Sequence, residues 1–225
     1  MKDLVVVGGG GHGRELLELL AAVNEERPRH RLLGVLDDGT PDAELLAAFR
    51  TRHVGPVRRL AELDAEYVIG VGSPVARAAI DRAASGWGRT PATLVHPRAV
   101  LGGRVTLGPG SVVCALASIT TNVRTGRHAH VNIAATVGHD CRLGDYTTLA
   151  PGARVSGAVT LGDRVTIGTG AVVIQGLGIG AGTTVGAGAV VVRDLPAEVV
   201  AVGVPARPRG LAAGSVAAAD PVGMA

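Results

Sequence analysis

From Val95 to Val191 an aliphatic residue returns at every sixth position without an insertion: Val95, Leu101, Leu107, Val113, Ile119, then Val131, Val137, Leu143, Leu149, Val155, Leu161, Ile167, Val173, Ile179, Val185 and Val191. Only Thr125 departs from the series. Glycine often follows the periodic residue, as at Leu107-Gly108, Leu161-Gly162 and Ile179-Gly180. A period of six fits neither the 3.6-residue turn of a helix nor the alternation of a hairpin sheet. It predicts short parallel strands wound into a prism, one strand per hexad. Three hexads make one coil, so residues about 18 apart stack at roughly 4.8 Å, the spacing of paired strands.

The residues before the hexads follow another pattern. Residues 4–7 predict a buried strand, followed by Gly8-Gly9-Gly10-Gly11-His12-Gly13. From 14 to about 24, Leu16, Leu17, Leu19 and Leu20 recur at helical spacing. Residues 31–36 predict a second strand ending in Asp37-Asp38, and 43–50 a short helix. Residues 67–71 predict a third strand closed by Gly72-Ser73, and 75–84 a helix with Pro74 in its first turn. This β-α-β-α-β-α order predicts an α/β, Rossmann-like small parallel sheet with right-handed crossovers. The expected division is a front domain over 1–94, a prism over 95–210 and a frayed, Ala/Gly/Ser-rich tail over 211–225.

Composition narrows the class. Hydrophobic residues make up 47% of the 225 and aromatic ones only 2%, so Val, Leu, Ile and Ala must fill the core. The 34 glycines are spaced by six rather than three, which excludes a collagen-like chain. Net charge is +3, the arginines are scattered, and one Phe, one Trp and two Tyr leave little for bases to stack on. No nucleic-acid partner is expected, whereas a mildly basic surface favours phosphorylated small molecules. No run of about 20 apolar residues predicts a membrane span. No apolar run precedes the glycine cluster, so no signal peptide is expected. With Cys114 and Cys141 as free thiols, the expectation is a soluble cytoplasmic protein.

Gly8-x-Gly10-x-x-Gly13 lies between a strand and a helix, where glycines let the backbone approach a phosphate and the helix start offers free N–H groups. Asp37 and Asp38 end the next strand, where an acid can meet a ribose hydroxyl. Three readings stay open: an NAD site, a site for another nucleotide-linked ligand, or a tight structural turn. No second mononucleotide half follows, which favours the second. His12 is either a helix-start residue or a contact to ligand phosphate or sugar.

Gly-Gly-His-Gly after the first strand, Asp-Asp after the second, and a hexapeptide prism carrying Val-Asn-Ile-Ala-Ala-Thr-Val-Gly-His-Asp-Cys together resemble one family. It is the sugar acetyltransferases of the PglD and NeuD type, which act on UDP-4-amino sugars or on sialic acids. The resemblance runs from residue 3 to about 209 and includes a closing segment, Gly203-Val204-Pro205-Ala206-Arg207. It implies a left-handed parallel β-helix assembled as a homotrimer, with acetyl-CoA between neighbouring subunits and the sugar nucleotide on the front domain.

His139 falls at the third hexad position, a corner, and Gly157 is one coil further on. The resemblance implies that His139 is the general base and that the Gly157 amide faces the thioester oxygen. A neutral imidazole, with an ordinary pKa of ~6.5, takes the proton of the attacking amine. A well-aimed N–H is worth about 3 kcal/mol to the oxyanion, with no covalent intermediate. Asp140 matches the family's acid, and Asn132 matches an asparagine near the sugar or else stacks in the strand ladder. Gly8, Gly10, His12, Gly13, Asp37, Asp38, Gly72 and Ser73 make up the implied substrate site. Thr148, Thr169, Gly170, Ala187 and Gly188 make up the implied CoA site. Thr148 stands where some members carry a second histidine, and it can hydrogen-bond there without carrying a proton at neutral pH.

Other readings compete. O-acetylation of a sialic acid-like sugar needs the same base. A non-catalytic nucleotide-binding scaffold needs none. His128 and His130 with His139 invite a zinc site, but the spacing speaks against one, and no metal is expected. Cys141, at the fifth hexad position, is read as packing rather than as a nucleophile.

Overall fold

The computed structural model describes residues 1–210, so the tail expected at 211–225 lies outside the described residues. Strand β1 (Lys2–Val7) leads into α1 (Gly11–Glu26), β2 (His30–Leu36), α2 (Ala43–Ala48) and β3 (His53–Gly55). A 3-10 helix (Val57–Glu62), β4 (Glu66–Ile69) and α3 (Pro74–Gly86) complete the front part. The sheet order is β3-β2-β1-β4, with every pair parallel. Leu16, Leu17, Leu19 and Leu20 of α1 bury against one face with Leu4 and Val6, while Leu60 and Ala84 cover the other face beside Val5 and Val7. Sequence pattern alone missed β3 and the 3-10 helix, which are too short and too interrupted by Gly55 and Pro56 to show a period. It also started α1 late. The Arg14 N–H donates to Gly10 O at 3.0 Å, so the end of the glycine loop is already the first helical turn.

Two-residue strands follow from Leu94–Val95 to Val190–Val191, stacked as three parallel sheets, one per face of the prism. The 18-residue register holds throughout: Val137 pairs with Ile119 below and Val155 above. Only Leu107 lacks a strand, and its neighbour Thr106 makes an isolated bridge to Arg124. The periodic residues from Val113 to Val191 are buried, as are fifth-position residues such as Ala135, Cys141 and Val159. Thr125 keeps its place because its hydroxyl accepts from the Gly108 N–H at 3.0 Å and meets Ser111 Oγ at 3.2 Å. At the fourth position the chain turns each corner with positive φ, for example +55° at Asn122, +62° at Asp140 and +64° at Gly170. The prism closes with Val199–Val202, which continues the face carrying Thr184–Val185 and pairs antiparallel with Arg207–Gly210.

Candidate active site

In the order β3-β2-β1-β4 the winding reverses between β1 and β4, where an open parallel sheet leaves a crevice beyond its carboxyl ends. Gly8, Gly10, His12 and Gly13 leave β1, and Gly72 and Ser73 leave β4, so the fold brings all six to that crevice. Gly8 has φ +105°, and a Cβ there would stand 2.9 Å from Gly70 O; one on Gly70 would stand 2.5 Å from the Gly13 α-carbon. These glycines let β1, α1 and β4 touch backbone to backbone. Around Gly10, Gly11 and Gly72 a Cβ would meet nothing within 4 Å, which leaves backbone open to a ligand. Ser73 caps α3, its Oγ accepting from the Ala76 N–H at 3.3 Å.

The two aspartates hold loops. Asp37 Oδ2 accepts from the Gly9 N–H at 2.6 Å and its Oδ1 from the Gly39 N–H at 2.8 Å. Asp38 Oδ1 accepts from the Val57 N–H at 2.8 Å. Asp37 therefore occupies one of the amides that the glycine pattern offers to a phosphate. His12 is also engaged: its Nδ1 lies 3.0 Å from Glu15 Oε2, and its Nε2 lies 3.0 Å from Nδ1 of His130 on the prism. His130 is buried, and burial first, then the charge of Arg77, holds its pKa well below the ordinary histidine value.

The seam between the front sheet and the prism is a polar network that sequence reasoning missed, because no local pattern marks it. Buried Arg77 of α3 donates to Val71 O and Gly72 O at 3.0 and 2.9 Å. It also reaches across the seam to Tyr146 O and Thr148 Oγ1, both at 2.7 Å. Burial lowers its pKa to about 10, so it stays charged at neutral pH. Asp81, 2% exposed, accepts from Tyr67 and Tyr146 hydroxyls at 2.6 Å and from Arg127 at 2.7 and 3.0 Å. Burial opposes its ionisation, yet contacts with His128, Arg127, Tyr146 and Tyr67 hold its carboxyl far below the usual range. His128 Nε2 is 3.0 Å from Asp81 Oδ1 but off the hydrogen-bond direction, and its ring stacks between Tyr67 and Tyr146.

This network corrects the expectation for Thr148. Its hydroxyl is committed to Arg77 and buried under the front sheet, not set on an open channel of this chain. The cause is register: Thr148 stacks on His130, on the prism face that the front part covers. Asn132 follows its ladder reading, with Nδ2 donating to Leu149 O at 2.8 Å. Cys141 is packed, its thiol donating to Ser156 O at 3.1 Å and its pKa raised by burial.

His139 and Asp140 form a corner after the strand Thr136–Val137, with the His139 side chain 63% exposed. His139 Nδ1 meets Asp140 Oδ2 at 2.7 Å, a contact that neighbours in sequence need not make. Asp140 Oδ1 accepts from Asn122 Nδ2 at 2.5 Å. The other imidazole nitrogen faces the next coil: a Cβ on Gly157 would stand 2.5 Å from His139 Nε2. The Gly157 N–H has no hydrogen-bond partner among the described residues. The exposed imidazole thus covers the buried Gly157, with Nε2 and the glycine backbone side by side at this corner. Asn122 was missed, although the signal was available, since it lies 18 residues before Asp140.

Thr169-Gly170 and Ala187-Gly188 stack as successive exposed corners, with the Gly188 N–H donating to Thr169 O at 2.8 Å. They follow Thr166–Ile167 and Thr184–Val185, whereas His139 follows a strand of another sheet. One chain does not bring them to His139, because they stand on a different edge of the prism. A groove of about 450 Å³ beside α3 is lined by Ser73, Pro74, Arg164, Thr166 and Glu198. Among the described residues no group of three His, Cys, Asp or Glu is placed to hold a metal ion.

A switch-point crevice joined to a β-helix with an exposed histidine corner defines a class of two-part proteins. Residues 3–83 match the family described as PglD N-terminal domain. The PerB structure from Caulobacter crescentus, in complex with CoA and GDP-perosamine, is 36% identical, with a TM-score of 0.85 over 93% of this chain and 98% of that one. The acetyltransferase domain of PglB from Neisseria gonorrhoeae, with acetyl coenzyme A, is 34% identical, with a TM-score of 0.85 over 92% and 99%. UDP-N-acetylbacillosamine N-acetyltransferase of Bacillus subtilis is 37% identical over 121 residues, 51% of this chain. The chain spans about half the length of that curated relative, 52%. The chain belongs to the PglD-type sugar acetyltransferase family, with its Rossmann-like front sheet and left-handed parallel β-helix.

Proposed function

We propose that this chain is an acetyl-CoA-dependent N-acetyltransferase acting on the amino group of a nucleotide-linked amino sugar. Residues 1–94 hold the nucleotide sugar at the switch-point crevice, and residues 95–210 carry the transfer site. The observation that supports this most is the His139 corner: Nδ1 on Asp140, Nε2 against the buried Gly157, and the imidazole itself exposed. His139 Nε2 takes the proton as the amine attacks the thioester carbonyl. The Gly157 N–H donates to the oxyanion as it forms. The tetrahedral intermediate collapses to amide and CoA thiolate, which accepts the proton from the imidazolium.

The CoA arm lies against Thr169, Gly170, Ala187 and Gly188 of a neighbouring copy. These corners and His139 occupy different edges of one prism, so a homotrimer with sites between subunits completes the arrangement. We place the reaction in the cytoplasm. The free thiols Cys114 and Cys141 fit a reducing compartment, and no described helix is long and apolar enough to cross a membrane. The relatives' names carry both UDP and GDP sugars, so the nucleotide base is a variable of the test.

The experiment incubates the protein with acetyl-CoA and a panel of UDP- and GDP-linked amino sugars and follows free thiol. Turnover with a product resistant to mild alkali supports N-acetylation, whereas an alkali-labile product assigns O-acetylation. Ligand binding without thiol release from any sugar supports a scaffold and overturns the proposal.

A further inference from the structure

The His139–Asp140 pair has a third member. Asn122 sits one coil below Asp140 at the same fourth-position corner, and both residues take left-handed backbone, with φ +55° and +62°. Its amide donates to Asp140 Oδ1 at 2.5 Å, while the other carboxylate oxygen, Oδ2, meets His139 Nδ1 at 2.7 Å. Asp140 is thereby gripped at both oxygens. The contact with Asn122 is the first cause, and that with His139 the second, of a carboxyl held below its ordinary range.

We propose that Asn122 is a positioning residue for the transfer step: it fixes the Asp140 carboxylate so that His139 carries its proton on Nδ1 and keeps Nε2, beside Gly157, unprotonated and free to accept one. The proposal rests on the acetyl-transfer reading of this corner and adds a residue to it. Asp140 is half-exposed, and a free aspartate there has several rotamers. In most of them Oδ2 leaves Nδ1, and the imidazole is free to adopt the tautomer with its proton on Nε2, which cannot accept one. An asparagine amide fits the task because it donates without adding charge, and asparagine tolerates the positive φ that the corner imposes. The amide has no labile acid proton near neutral pH, so no proton passes beyond Asp140. The effect is orientation and electrostatics, as with an acid that holds a catalytic imidazole in one tautomer.

Two substitutions separate this role from mere folding. Asn122→Gly keeps the left-handed backbone accessible and deletes the amide. Asn122→Asp keeps the shape and replaces the donor with a second carboxylate. Asn122→Gly is expected to lower kcat about tenfold with KM for acetyl-CoA changed less than twofold, a fraction of the ~10²–10⁴ that a general base supplies. Asn122→Asp is expected to move the acidic limb of the kcat–pH profile to higher pH, because added negative charge favours the imidazolium. Imidazole nitrogen NMR gives a readout independent of turnover: the wild-type His139 signals report the Nδ1–H tautomer, and those of Asn122→Gly a mixture. Unchanged kcat and unchanged tautomer in Asn122→Gly overturn the proposal. A wild-type chain without transferase activity, or a fully active His139→Ala, overturns the underlying function instead, and the tautomer measurement still decides the role of Asn122.

Discussion

The imidazole of His139 lies so close to the backbone of Gly157 that a Cβ on Gly157 would stand 2.5 Å from Nε2. The φ of Gly157 is not in the left-handed region, so the backbone itself accepts a side chain. Gly157→Ala therefore tests the corner without breaking the coil. The added methyl displaces the imidazole from the amide edge, and kcat is expected to fall by about 10²-fold or more, comparable to losing one oxyanion donor. Free-thiol assays against circular dichroism check this; a folded variant with wild-type kcat contradicts the arrangement.

Asp140→Asn reverses the polarity at His139 Nδ1. An asparagine amide can donate to Nδ1 and so stabilise the tautomer with its proton on Nε2, which is useless as a base. We expect kcat to drop about 10²-fold with little change in KM. Because the pair is exposed, thermal stability should stay near wild type.

Asp81 organises the seam, and its loss is a stability event. Asp81→Ala removes the partner of the half-buried Arg127 and strands two tyrosine hydroxyls. We expect a cost of about 3–5 kcal/mol, read by denaturant unfolding. The folded carboxyl is held below its ordinary value of 3.8, so it contributes stability fully above about pH 4. That contribution declines as pH falls further, because the unfolded chain binds the proton first. Asp81→Ala should flatten the stability–pH curve below pH 4, and an unchanged slope there contradicts the role.

His130 makes the opposite kind of group sensitive in the same direction. Buried and neutral, it resists the proton that an unfolded histidine binds at its ordinary value of 6.5. Below that pH the unfolded state gains protons that the folded state does not, so stability falls as pH drops through 6. His130→Gln should reduce the slope of unfolding free energy between pH 6.5 and 5, measured by urea titration at each pH. An identical slope in both proteins would mean that His130 titrates freely.

Much of this was legible in the sequence, for a physical reason. A β-helix repeats one local rule, aliphatic in and corner out, so the period alone predicts register, and Val137 stacks between Ile119 and Val155 as the count of 18 requires. The same count set His139 beside Gly157. The seam was not legible, since Arg77, Asp81, Arg127 and Tyr146 come from two different folding patterns and meet only when these pack together. Thr148 shows the cost of reasoning by position alone: its hydroxyl went to Arg77, a partner 71 residues away. Asp37 and His12 show the same. The pattern marks them for a ligand, whereas the structure also uses them to hold Gly9 and to meet His130.

His139 is the proposed base for acetyl transfer. The most direct measurement is kcat for acetyl transfer to the best amino-sugar acceptor, wild type against His139→Ala, with CoA binding followed by calorimetry in both. At least a 10³-fold loss of kcat with CoA affinity retained is expected, within the range of about 10²–10⁴ that a general base supplies. A His139→Ala protein that binds CoA and turns over at the wild-type rate would contradict it.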